Sequence, residues 1–158
     1  MSETLEQEAP TVSEQPEQGT RDIPQQLQRT EVVRFTRAEG QANERVYTFP
    51  FSSETPVQRA FGNEVLSHEG EAVNLSRMND GAPLLFNHDP NKVIGVVERS
   101  WVEGQRGYAT VRFSRNGFAQ EVMGDVQDGI LRGVSVGYSI DAMKERGEDY
   151  VATKWTPY

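Results

Sequence analysis

From residue 31 onwards, apolar and polar residues alternate along most of the chain, and a period of two marks half-buried strands. Residues 31–37 (Glu-Val-Val-Arg-Phe-Thr-Arg) predict one strand, followed by a polar turn around Gly40. Residues 45–53 set Tyr47, Phe49 and Phe51 against Val46, Thr48 and Pro50. This is a second strand, with Pro50 at its end or on an edge because proline has no N–H for a ladder. The signal is weak over residues 53–62; residues 64–68 then predict a short extended piece and residues 72–78 one helical turn, closed by Asn79-Asp80-Gly81. The apolar run 83–86 delivers Asn87-His88-Asp89-Pro90. Residues 93–102 and 108–113 alternate on either side of Glu103-Gly-Gln-Arg-Gly, a hairpin with a five-residue loop.

Beyond the hairpin the period changes. Phe118, Val122 and Val126 recur four apart, which predicts a helix over residues 117–127, capped by Ser114 or Asn116 and ended by Asp128-Gly129. Residues 150–155 give a last strand after a polar turn over residues 144–149. Many strands, few helices and no strand–helix–strand repetition predict a mainly β (α+β) fold, an antiparallel β-barrel-like or sandwich core with one or two helices.

The helix leads into Leu-Arg-Gly-Val-Ser-Val-Gly-Tyr-Ser-Ile, residues 131–140. Val134, Val136, Tyr138 and Ile140 share one face; Ser135, Gly137 and Ser139 share the other. A small polar face fits an edge strand turned to solvent. It also fits a surface that another chain approaches closely, with Gly133 and Gly137 leaving the Ser135 hydroxyl open.

Composition separates a tail from this pattern. Residues 1–30 hold six acids against two arginines, half of the chain's net charge of −8, and their few apolar residues have no period. Such a segment cannot bury enough apolar surface to offset its ordering entropy, so a disordered acidic tail is expected there and a folded domain over residues 31–158. No cysteine is present, which excludes disulfides, thiolate metal sites and cysteine nucleophiles, and two histidines are few for a metal centre. The N-terminus has neither the basic start nor the apolar run of a signal peptide, and no run of about 20 apolar residues could span a membrane. An acidic chain without a basic patch is a poor ligand for nucleic acid. A soluble, cytoplasmic protein is expected.

A serine becomes a nucleophile when a base takes its proton, and the usual base near neutral pH is histidine. His88 lies in a polar knot between an apolar run and a hairpin, where rigid elements could fix its ring. His68 could be a third member, a structural hydrogen-bonding residue or an exposed one. No Gly-X-Ser-X-Gly elbow surrounds Ser135, so an α/β-hydrolase is excluded.

Three linked blocks carry a family resemblance: residues 72–89, with Asn87-His88-Asp89; Val93-Ile-Gly-Val-Val-Glu; and residues 125–138, ending Gly-Val-Ser-Val-Gly-Tyr. They resemble the HK97-type prohead maturation proteases of tailed bacteriophages. The resemblance implies a fold similar to the herpesvirus assembly proteases. It implies a serine endopeptidase that cuts the scaffolding part of the major capsid protein, and possibly itself, inside the immature prohead in the bacterial host cytoplasm. Ser135 matches the family's nucleophile and His88 its histidine; Gly137 would leave room for an extended peptide; no metal or cofactor is required. The expected partner is the major capsid protein or a scaffold precursor, with homo-oligomerisation left open. Where family members continue into a strand bearing a glutamate, this sequence stops at Lys154-Trp155-Thr156-Pro157-Tyr158. A domain truncated at its C-terminal end is therefore expected, with the third group sought among His68, Asp141, Glu145, Glu148, Asp149 or a residue beyond Tyr158. A non-catalytic, truncated module with a structural or scaffold-binding role is the alternative.

Overall fold

A computed structural model describes residues 23–158; residues 1–22, most of the expected acidic tail, lie outside the described residues. Alternation becomes two five-stranded sheets. The first runs in the order β1 (Gln26–Val32), β9 (Gly133–Arg146), β10 (Asp149–Pro157), β5 (Gly62–Leu66), β4 (Val57–Arg59). The second runs β2 (Thr36–Arg37), β3 (Val46–Ser53), β8 (Arg106–Phe113), β7 (Asp89–Glu103), β6 (Pro83–Phe86). Neighbours are antiparallel except β10 and β5, which run parallel. Two helices, α1 (Ser76–Asn79) and α2 (Gly117–Gln127), complete the mainly β architecture read from the sequence.

The core collects the inward faces of both sheets. Tyr47, Phe49 and Phe51 of β3 meet Ala109, Val111 and Phe113 of β8, while Val136, Tyr138, Ala152 and Trp155 come from the first sheet. In α2 the buried stripe is Ala119, Val122 and Val126; Phe118, expected on that stripe, instead lies at its edge. Asn116 caps the helix by accepting the Ala119 N–H at 2.8 Å.

Several boundaries move. The single strand expected over residues 31–37 is β1 and the short β2, and β1 starts at Gln26, inside the stretch assigned to the tail. The loop of the β7–β8 hairpin is two residues, Gly104 and Gln105, both at positive φ, rather than five. The turn expected over residues 144–149 shrinks to Gly147 and Glu148 because Arg146 pairs with Asp149. The strand bearing Ser135 is not an edge: β1 flanks it on one side and β10 on the other.

The reason β1 starts early is Arg29. Its guanidinium is buried and donates to the Glu64 carboxylate (Nη2 to Oε1, 3.1 Å), to the Glu64 carbonyl (2.7 Å) and to the Thr55 carbonyl (2.8 Å). The Tyr138 hydroxyl donates to the same Glu64 Oε1 at 2.5 Å, and Arg59 reaches it at 3.3 Å. Burial, reinforced by the bond to Glu64, pushes the Tyr138 phenol up to about 12, so it stays a donor. Removing one partner from a buried charge cluster leaves the other charge unpaired, at a cost of about 3–5 kcal/mol. Arg29→Ala should lower the unfolding free energy in urea by about that amount, and deletion of residues 1–30, which also removes Gln26–Thr30 of β1, by more. A deletion through Thr30 with unchanged stability would refute the role given to Arg29.

Candidate active site

His88 is placed by a turn. Phe86 pairs with Asp89, so Asn87 and His88 are the two loop residues of the β6–β7 hairpin, with φ of 52° and 55°. Positive φ at both central residues is the type I′ geometry that matches strand twist. Asparagine suits the first position; histidine at the second, where glycine is usual, holds an exposed side chain in the left-handed region at some cost. Ser135 is placed by a strand. Val136 and Tyr138 lock β9 into the core, which turns Ser135 outward, and its cross-strand neighbour on β1 is Thr30.

The two meet. His88 Nε2 and Ser135 Oγ lie 2.7 Å apart, although 47 residues separate them in the chain. With Nε2 unprotonated, the ring accepts the hydroxyl hydrogen, which is the first requirement for a serine nucleophile. Among the described residues, no side chain hydrogen-bonds His88 Nδ1.

Among the described residues, none of the candidate third groups hydrogen-bonds the ring. Asp141 is six residues along β9 from Ser135, ~20 Å away at about 3.3 Å per residue, and accepts from the Thr156 hydroxyl at 2.6 Å. Glu145, Glu148 and Asp149 lie farther on, at the β9–β10 turn. His68 is buried: Nδ1–H donates to the Leu66 carbonyl (3.0 Å), Nε2 accepts from Ser52 Oγ (2.8 Å), and the ring meets Trp155 edge-on. Ser52 is fully buried and receives the Gly107 N–H at 3.1 Å, so this second serine–histidine pair is closed to substrate.

One neighbour went unread in the sequence. A Cβ on Gly137 would come within 2.9 Å of the Tyr158 ring, and the Tyr158 N–H donates to the Gly137 carbonyl at 2.9 Å. The space expected for a peptide at Gly137 is occupied by that ring. Only the strand register, with Pro157 opposite Tyr138, brings Tyr158 there. The turn at Asn87-His88 did have a local signal, an Asn followed by one residue between apolar and polar strand positions.

An imidazole accepting from an open serine hydroxyl on the surface of a β domain is the donor–acceptor pair of serine hydrolases. This chain belongs to the caudovirus prohead serine protease family, whose model matches residues 31–156. It is 46% identical over 116 residues to a protein named major capsid protein of Halomonas phage phiHAP-1, a match covering 68% of this chain and 19% of that one. The chain thus spans about a fifth of that relative's length. Among solved structures, the capsid assembly protease of bacteriophage T4 superposes with a TM-score of 0.57 at 13% identity, over 86% of this chain and 94% of that one, a likeness of fold.

The turn gives one prediction. His88→Gly should be more stable than His88→Ala by about 1 kcal/mol, because only glycine enters the left-handed region without a steric penalty. Asn87→Gly should keep the wild-type melting temperature, whereas Asn87→Val should lower it, and paired thermal melts decide both. His68 gives another. Burial, outweighing the nearby Glu54, lowers its pKa below the ordinary 6.5, so the folded state holds it neutral while the unfolded state takes a proton. Its contribution to stability is complete above about pH 6.5 and declines as pH falls below that value. The slope of unfolding free energy against pH between about pH 6.5 and 5 should be shallower in His68→Gln than in wild type.

Proposed function

We propose that the chain is the protease domain of a capsid maturation system, a serine endopeptidase in which Ser135 is the nucleophile and His88 the general base. The observation that carries this reading is the 2.7 Å contact between His88 Nε2 and the outward-facing Ser135 Oγ. Ser135 Oγ attacks the scissile carbonyl while His88 Nε2 takes its proton; the imidazolium then protonates the departing amine, leaving an acyl-enzyme that water hydrolyses with His88 again as base. The buried pair Ser52–His68 supports the assignment by contrast, since the same contact without access cannot meet a substrate.

The substrate proposed is the scaffolding part of a major capsid protein, cut inside the immature prohead in the host cytoplasm. The family supports this, and so does a relative that is named major capsid protein and matches over only 19% of its length. That short coverage also suits a protease domain joined to a capsid protein in one polypeptide. The group that orients His88 is proposed to come from outside the described residues. The antiparallel register carries any continuation after Tyr158 toward Ser135, so that the second added residue would stand level with it.

Ser135→Ala and His88→Ala should each abolish processing of a co-expressed capsid precursor, with losses on the order of 10⁶ in rate, because the two residues act as a unit. Processing that continues in Ser135→Ala would sink the assignment. His68→Ala should leave processing far less affected once corrected for folded protein.

A further inference from the structure

We propose that Gly133, walled by Val32, is a subsite that seats an uncharged apolar side chain of the substrate beside the scissile bond, with Tyr158 closing the other side of Ser135. This deepens the proposed function and rests on it. Gly133, Ser135 and Gly137 share one face of β9, about 6.6 Å apart, the spacing at which an extended peptide presents successive side chains to one face.

The two glycines are not equivalent. Gly137 is small because the Tyr158 ring fills the space where a Cβ would stand. Gly133 has no such cause. It does not adopt positive φ, and a Cβ there would meet only Thr30 Cγ2, at 3.9 Å. The β1–β9 register is unbroken from Gln26–Ser139 to Val32–Gly133, so no bulge calls for a glycine either. Gly133 opens β9, and a glycine there that neither backbone geometry nor packing explains leaves the face open to close approach by a ligand.

The neighbours of Gly133 state the chemistry. Directly opposed residues of an antiparallel pair project to the same face, so Val32 stands beside Gly133 and Thr30 beside Ser135. Val32 is 78% exposed, the most exposed large apolar side chain among the described residues. An open glycine floor, an uncovered valine and the nucleophile two residues away form a shallow apolar seat at the reacting carbonyl. A charged side chain placed there would lose hydration with no partner to replace it.

The test uses the full chain and peptides that differ only at the residue seated on Gly133, carrying Gly, Leu or Glu. Wild type should prefer Leu over Gly and over Glu. Gly133→Val should lower the Leu-to-Gly ratio of kcat/KM by about 10- to 100-fold, the range over which a filled apolar seat discriminates. Val32→Lys should raise the Glu-to-Leu ratio by up to about fivefold, the range of an exposed ion pair. Damage to the fold or to the Ser135–His88 pair lowers all peptides alike and leaves the ratios where they were. Val32→Lys alters an exposed side chain and decides the matter if Gly133→Val fails to fold. Unchanged ratios in the folded variants would overturn the subsite. Labelling of Ser135 by a fluorophosphonate reads the catalytic assignment separately: labelling with unchanged ratios removes the subsite alone, and failure to label wild type removes both.

Discussion

One buried carboxylate organises the first sheet. Glu64 is fully buried on β5, and its Oε1 receives Arg29 from β1, Arg59 from β4 and Tyr138 from β9, so four of the five strands meet at a single oxygen. Withdrawing these charges from water costs several kcal/mol per ion, and the hydrogen bonds roughly offset it; the cluster's main effect is on alignment rather than net stability. A strand that slips by one residue turns every side chain to the opposite face. With Tyr138 held at Glu64, Ser135 three residues earlier must face outward, where His88 waits. Among the described residues Glu64 Oε2 has no hydrogen-bond partner, which leaves the cluster sensitive to the loss of any donor.

The chain contains the same contact twice with opposite consequences. Ser52 and His68 lie at 2.8 Å, Ser135 and His88 at 2.7 Å. The first pair has its remaining polar atoms bonded to backbone and is sealed by Trp155, so it joins β3 to the segment after β5. The second sits between a hairpin turn and a strand, with its hydroxyl facing solvent. Distance alone therefore does not single out a candidate catalytic pair; access separates the two.

Much of this was legible in the sequence. Period-two alternation separated the two faces of β3 and β9, the four-residue recurrence located α2, and Asn116 was among its expected caps. Ser135 and His88 stood out by their neighbours and by the resemblance. What escaped was set by partners far away in the chain. Arg29 lies in a stretch that is polar by composition, and only Glu64, 35 residues on, makes it a core residue. Tyr158 stands over Gly137 because of a register that no local pattern encodes. The length of β9 was hidden because its last residues, Lys144, Glu145 and Arg146, are exposed and polar, with the composition of a loop.

The pairing of β1 with β9 also sets an order in time. Thr30 and Ser135 face each other across 105 positions of sequence, and such distant contacts form only after the intervening chain has collapsed. A ribosome adding about 5–20 residues per second delivers β1 and the His88 hairpin well before β9 exists. An isolated hairpin is marginal in water, so the His88 turn gains support from β8, while the strand that presents Ser135 needs both the early β1 and the late β10. The Ser135 hydroxyl and the His88 ring therefore meet only after β9 has been made and paired with β1, a contact between parts of the chain synthesised far apart in time.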